Sequence, residues 1–201
     1  MITIIDYGAG NLRSVVNAIT KLGYQPKITA LAADIVNASV VILPGVGAAG
    51  DVMENLKKLR LIDPIRNYID SGKPFLGICI GMQVLFTHTE EGDYDCLNII
   101  PGQVLKLPAG QKIPQIGWNQ VKYKAPNRIF DGVPDNTNFY FVHSYYCQPN
   151  DKSLIIGETD YGIPFCSAVA VGNLTAIQFH PEKSGDWGLK IYDNFLKQAQ
   201  K

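Results

Sequence analysis

The chain has 201 residues, 46% of them hydrophobic, and its 18 basic residues balance 18 acidic ones. That apolar share excludes a disordered chain, and a formal net charge of zero argues against a general nucleic-acid binder. The length suits one domain, residues 1–201, large enough to bury a full core.

Met1-Ile2-Thr3-Ile4-Ile5 lacks a basic stretch and a cleavage site, so Ile2–Ile5 reads as a strand and not a signal peptide. After Gly8-Ala9-Gly10, an apolar stripe (Leu12, Val15, Val16, Ile19, Leu22) predicts a helix from Asn11 to a stop at Gly23. The glycines hint at a dinucleotide loop, but Arg13 stands where that fingerprint needs its third glycine. Pro26–Thr29 and the apolar Ser39–Leu43 read as strands, the second broken by Pro44-Gly45-Val46-Gly47. Helical patterns follow near Ala49–Leu59 and Ile62–Asp70. A strand, Lys73–Ile78, then runs into Cys79 and a helix carrying Met82, Val84, Leu85 and Phe86.

The second half predicts strands at Gly102–Leu107, Trp118–Tyr123, Phe139–Cys147, Leu154–Glu158, Phe165–Val171 and Thr175–Phe179. Loops fall at Asp93–Asn98 and Lys124–Asn138, and a last helix covers Gly185–Gln200. Strand-helix alternation in the first half implies an α/β fold with a doubly wound, mostly parallel, flavodoxin-like sheet, to which the second half adds antiparallel strands. No apolar run is long enough to cross a membrane. Cys79, Cys96, Cys147 and Cys166 lack paired spacing, which argues against a disulfide frame and a zinc ribbon and for a reducing, cytoplasmic setting.

Gly77-Ile78-Cys79-Ile80-Gly81 after an apolar strand has the form of a nucleophile elbow, in which flanking glycines admit a tight strand-to-helix turn. Free amides and the dipole of the following helix would favour a Cys79 thiolate. His180 and Glu182 follow another strand, and residues two apart on an extended segment face one side, with Pro181 stiffening the backbone. They can supply a base and its orienting carboxylate, so Cys79, His180 and Glu182 form a candidate triad. Metal binding by the same three lacks ligand spacing, and no metal or cofactor is expected. The Pro44–Gly47 loop suggests half of an oxyanion hole at Val46, with Ile80 N–H as the other half. His88 reads as an unremarkable helix-end residue; His143, at a strand end, is structural or borders the pocket.

These segments, Pro44–Gly47, Gly77-Ile78-Cys79-Ile80-Gly81-Met82-Gln83 and His180-Pro181-Glu182, resemble the class I (triad) glutamine amidotransferases in order and spacing. Asp6–Leu12, Ile116-Gly117-Trp118-Asn119, Phe141–Tyr145 and His180–Ser184 are similar to the glutaminase subunits of imidazole glycerol phosphate synthases within that family. The resemblance implies hydrolysis of L-glutamine through a Cys79 thioester. It implies glutamine binding by Gln83 and Glu91, with backbone help around Gly45, Gly47, Ser144 and Tyr145. It further implies a heterodimer with a (β/α)8-barrel cyclase that consumes the ammonia, contacted by Asn11, Trp118, Tyr140 and Lys183. Alternatives are a glutaminase serving anthranilate, aminodeoxychorismate or pyridoxal phosphate synthesis, a γ-glutamyl hydrolase with the same triad, and a non-enzymatic flavodoxin-like module with Cys79 as a redox sensor.

Overall fold

The computed structural model of the chain describes residues 1–198. In chain order the first half has β1 (Ile2–Ile5), α1 (Leu12–Lys21), β2 (Lys27–Thr29), α2 (Ala32–Val36), β3 (Val40–Leu43), α3 (Ala49–Lys58), α4 (Ile62–Asp70), β4 (Phe75–Ile78) and α5 (Ile80–Gln83). The second half has β5 (His88–Thr89), β6 (Tyr94–Asp95), β7 (Gly102–Lys106), β8 (Gln115–Tyr123), β9 (Thr137–His143), β10 (Tyr145–Pro149), β11 (Ile155–Asp160), β12 (Pro164–Val171), β13 (Leu174–Ile177) and α6 (Gly185–Gln198).

Strands β2, β1, β3, β4 and β13 lie side by side and parallel. Beyond β13 the sheet turns antiparallel through β12, β10 and β7, and β11, β8 and β9 branch from β12. The expected α/β sheet with an antiparallel second half is the observed one. Every residue of β3, β4 and β13 is buried, because helices cover both faces, and this is why these strands read as unbroken apolar runs. Alternation sends Ile4, Ile42, Leu76 and Ile78 to a core shared with α1 and α6, while Ile5, Val41, Leu43 and Phe75 enter a core shared with α2, α3 and α4. Each such fully buried aliphatic side chain contributes about 1.5–3 kcal/mol.

Several elements differ from the sequence pattern for identifiable reasons. Asn11 lies outside α1 as its cap, its Oδ1 accepting from Ser14 N–H at 3.4 Å, and Gly23 (φ 88) closes the helix in the left-handed region. The helix after Cys79 stops at Gln83 and does not reach Phe86. The carbonyls of Val84, Leu85 and Phe86 instead accept amides of the Leu97–Ile100 segment. His88 therefore sits in β5, not at a helix end, and β6 forms within the expected loop at 93–98. The predicted strand Phe139–Cys147 is two strands broken at Ser144. β9 pairs with β8, whereas β10 pairs with β7 and β12, and the chain must change neighbours between them. The loop at 124–138 contains a 3-10 turn, Arg128–Phe130, capped by Asn127, and yields its last two residues to β9. The sequence pattern gives no sign of α2, and residues 199–200 of the predicted last helix lie outside the described residues. Among the described residues, no helix is long and apolar enough to cross a membrane.

Candidate active site

Three neighbouring parallel strands, β3, β4 and β13, end at the same edge of the sheet, so the loops after them meet there, where open α/β sheets bind ligands. Ile78 pairs with Ile177, and Cys79 N–H donates to the Ile177 carbonyl at 2.8 Å. Cys79 itself has φ 55 and ψ −110, a conformation costing about 1–3 kcal/mol for a residue with a side chain. Close packing holds it there. A Cβ on Gly81 would lie 1.9 Å from the Leu43 carbonyl oxygen of β3, and one on Gly77 would lie 2.7 Å from the Gly81 carbonyl oxygen. Because α5 is a single turn, the helix dipole expected to favour the thiolate is short.

His180 Nδ1 lies 2.8 Å from Glu182 Oε1, and their side chains are 3% and 4% exposed. The pair meets by a different geometry from the one expected. His180 caps a 3-10 turn, Pro181–Lys183, which folds Glu182 back onto the ring, so strand alternation is not the cause. Tyr192 Oη, 3.4 Å from Glu182 Oε2, steadies the carboxylate. His180 Nε2 is buried without a hydrogen-bond partner, and Cys79 is the neighbour that acts on the ring. Burial pushes the imidazole pKa down. The charge and hydrogen bond of Cys79, then those of Glu182, outweigh this and raise it to about 10. The arrangement favours an imidazolium beside the Cys79 sulfur.

A cleft of about 190 Å³ opens over the sulfur. It is smaller than the roughly 300–1,000 Å³ of sites for drug-sized ligands and suits a single small substrate. Of the residues singled out from sequence, Val46, Gly47, Cys79, Ile80, Gln83, Glu91, Ser144 and Tyr145 line it. Gly45 lies beneath the wall, where a Cβ would come within 2.0 Å of Tyr7 Oη and 2.2 Å of Ile80 Cγ2. Tyr7, part of the Asp6–Leu12 segment but given no role from sequence, is fully buried under this loop. Burial raises its pKa well above the usual phenol value, and its hydroxyl is buried without a hydrogen-bond partner. Val46, where sequence places half of an oxyanion hole, lies in the wall of the cleft. Glu91 Oε2 accepts from Ala49 N–H at 2.8 Å at the start of α3. Gln83 Nε2 donates to the Tyr145 carbonyl at 3.0 Å and to Gln178 Oε1 at 3.1 Å.

His143 borders the cleft and is also structural. Its Nδ1 lies 2.8 Å from the Tyr145 carbonyl oxygen, and Nε2 lies 2.9 Å from Gln115 Oε1. Burial, against the Tyr145 hydrogen bond and with the nearby His180, lowers its pKa to about 4. The unfolded ring takes a proton near pH 6.5 and the folded one only near 4, so stability is intact above 6.5 and falls as pH drops between these values. The loss is on the order of 3 kcal/mol. In thermal melts the His143→Gln variant should show a shallower decline than wild type across this window; parallel curves would contradict the assignment.

Trp118, Tyr140 and Lys183 converge on one patch beside the triad. The Trp118 and Tyr140 rings meet edge to face at 5.9 Å, and Lys183 Nζ lies 5.8 Å from the Tyr140 ring centre. Trp118 is 56% exposed although aromatic, so the patch offers apolar area to solvent. Asn11, grouped with these three by sequence, serves as the α1 cap. Among the described residues no group of three or more His, Cys, Asp or Glu side chains is placed to hold a metal ion.

Residues 3–199 match the family model described as glutamine amidotransferase class-I. The chain is 54% identical over 200 residues to the imidazole glycerol phosphate synthase subunit HisH of Dehalococcoides mccartyi, covering 99% of this chain and 98% of that one. It is 46% identical to the HisH subunit of Aquifex aeolicus, covering 98% and 97%. Among solved structures, one described as a glutamine amidotransferase superposes with a TM-score of 0.79 at 16% identity over the whole of both chains. A chain of PurLQS from Thermotoga maritima gives 0.78 at 18% identity, covering 98% and 97%. At these identities the superpositions speak for the fold alone.

Proposed function

The chain belongs to the class-I glutamine amidotransferases, and from that premise we propose that it is the glutaminase subunit of an imidazole glycerol phosphate synthase. The observation that carries the chemistry is the meeting of Cys79, His180 and Glu182 at adjoining strand ends, beside a cleft sized for one amino acid. Glutamine enters with its side-chain carboxamide over the sulfur. The Cys79 thiolate adds to the carbonyl carbon, and Ile80 N–H receives the oxyanion. His180 gives its proton to the departing nitrogen, so ammonia leaves and a glutamyl thioester remains. His180 then takes a proton from water, hydroxide adds to the thioester, and collapse releases glutamate and restores the thiolate. Glu182 keeps the imidazole in the tautomer that presents Nε2 to the sulfur and stabilises its charged form. Gln83 and Glu91 hold the amino-acid end of the substrate, with Gly47, Ser144 and Tyr145 closing round it. No cofactor takes part.

The ammonia passes to a (β/α)8-barrel cyclase docked on the Trp118–Tyr140–Lys183 patch, which makes imidazole glycerol phosphate and an aminoimidazole carboxamide ribotide. Four free thiols fit a reducing, cytoplasmic setting.

Val46 lies in the cleft wall, and completing the oxyanion hole with its amide calls for a turn of the peptide beside it when the cyclase docks. Gly47, at φ 104, gives the backbone the freedom to do so. The free subunit is therefore expected to hydrolyse glutamine slowly, and the complex with cyclase and its ribotide substrate at least ~10²-fold faster, the contribution of one oxyanion donor. Steady-state glutamate release with and without the liganded cyclase tests this. Equal rates would reject the loop change, and no glutamine-dependent product from any cyclase would reject the synthase assignment.

A further inference from the structure

Gln178 is fully buried one residue past β13 and two before His180. Along this extended segment Phe179 turns to the opposite side, where its ring stacks on Phe139 at 4.2 Å, and the side chains of Gln178 and His180 share the side that meets Cys79. Gln178 Nε2 lies 3.6 Å from Cys79 Sγ, within hydrogen-bond reach of sulfur.

The direction of that amide is fixed from a distance. The Tyr145 carbonyl only accepts, so Gln83 turns its NH₂ end to it, and the second hydrogen of that NH₂ goes to Gln178 Oε1. Gln178 is left with its own NH₂ toward the sulfur. Its backbone is pinned as well, Gln178 N–H donating to the Ser167 carbonyl at 2.9 Å. On another side, the Val142 carbonyl lies 3.7 Å from Sγ. That acceptor favours the protonated thiol, whereas the Gln178 donor favours the thiolate.

We infer that Gln178 is a positioning residue for the nucleophile: its amide N–H donates to Cys79 Sγ, holds the sulfur as thiolate in its attack orientation, and links it to Gln83 on the substrate side of the cleft. The inference rests on the glutaminase reading only in taking Cys79 as nucleophile and Gln83 as a substrate contact. Other titratable groups near the sulfur are His180 with Glu182 after β13, Tyr7 after β1, Cys147 on β10, His143 on β9 and Glu91 after β5. All stay in place when only Gln178 is changed.

The test is the rate of iodoacetamide alkylation at Cys79 against pH, located by peptide mass, in wild type and in Gln178→Met, which keeps the shape and removes the donor. The midpoint should rise by about one pH unit, with about tenfold slower labelling below it. An unchanged midpoint in the folded variant overturns the inference. Should Gln178→Met not fold, the unsubstituted chain decides. The Gln178 side-chain amide ¹⁵N resonance should titrate with the alkylation midpoint and lose that titration in Cys79→Ala; a resonance flat with pH in wild type overturns the inference equally. Neither readout uses glutamine, so a chain that shows both shifts but releases no glutamate with any partner would sink the glutaminase reading and leave this one standing.

Discussion

Cys79→Ala should lower glutamine-dependent product formation by at least ~10⁴-fold while leaving the ammonium-dependent reaction of the assembled synthase near wild type. The two halves of that result come from different parts of the structure. Without the sulfur no thioester forms, and the remaining groups, an imidazole tied to Glu182 at 2.8 Å and the elbow amides, can only assist water weakly. The proposed docking patch, in contrast, lies on β8, β9 and the turn after β13, and the substitution leaves it untouched. Cyclase purified in complex with the mutant chain and supplied with ammonium salts makes the comparison in one preparation. If both reactions fell together, Cys79 would be a structural residue of the assembly and not its nucleophile. If neither fell, the triad assignment would be wrong.

Gly81→Ala should destabilise the fold by at least ~3 kcal/mol, a large effect for a single methyl group. The added Cβ would lie 1.9 Å from the Leu43 carbonyl oxygen and 2.9 Å from its carbon, both backbone atoms of a buried strand without room to retreat. Relief requires β3 and the elbow to part, which also moves the Ile80 amide and Cys79. Gly8→Ala is a useful contrast. Its Cβ meets nothing within 4 Å, so only the strain of φ 89 opposes it, about 1–2 kcal/mol. Urea unfolding of both variants separates the two causes. A Gly81→Ala loss no larger than that of Gly8→Ala would mean that the elbow packs more loosely than its distances imply.

Much of the site was legible because its signals are local. A strained turn needs small neighbours on both sides, and Gly77 and Gly81 supply them within two residues of Cys79. Strands covered on both faces have no polar side to show, and β3 and β4 therefore appear as plain apolar runs. The misreadings have a common origin as well. Helical spacing continues through Phe86, yet carbonyls of that segment are claimed by amides at 97–100. Phe139–Cys147 is rich in aromatic residues and reads as one strand, yet its two halves pair with different strands. The period-two rule, applied to His180 and Glu182, belonged one step earlier, to Gln178 and His180. Tyr7 belongs to the Asp6–Leu12 segment, yet only the loop folded above it reveals its position.

The sequence by itself determined the candidate nucleophile, its turn, the parallel half of the sheet and the family, since backbone sterics, side-chain period and motif spacing act over a few residues. Only the tertiary structure decided how Glu182 reaches His180 and that Gln178 stands against the sulfur. Those outcomes depend on pairing between segments about a hundred residues apart, such as β4 with β13. Such registers are set by burial of the whole core, which no short window of sequence records.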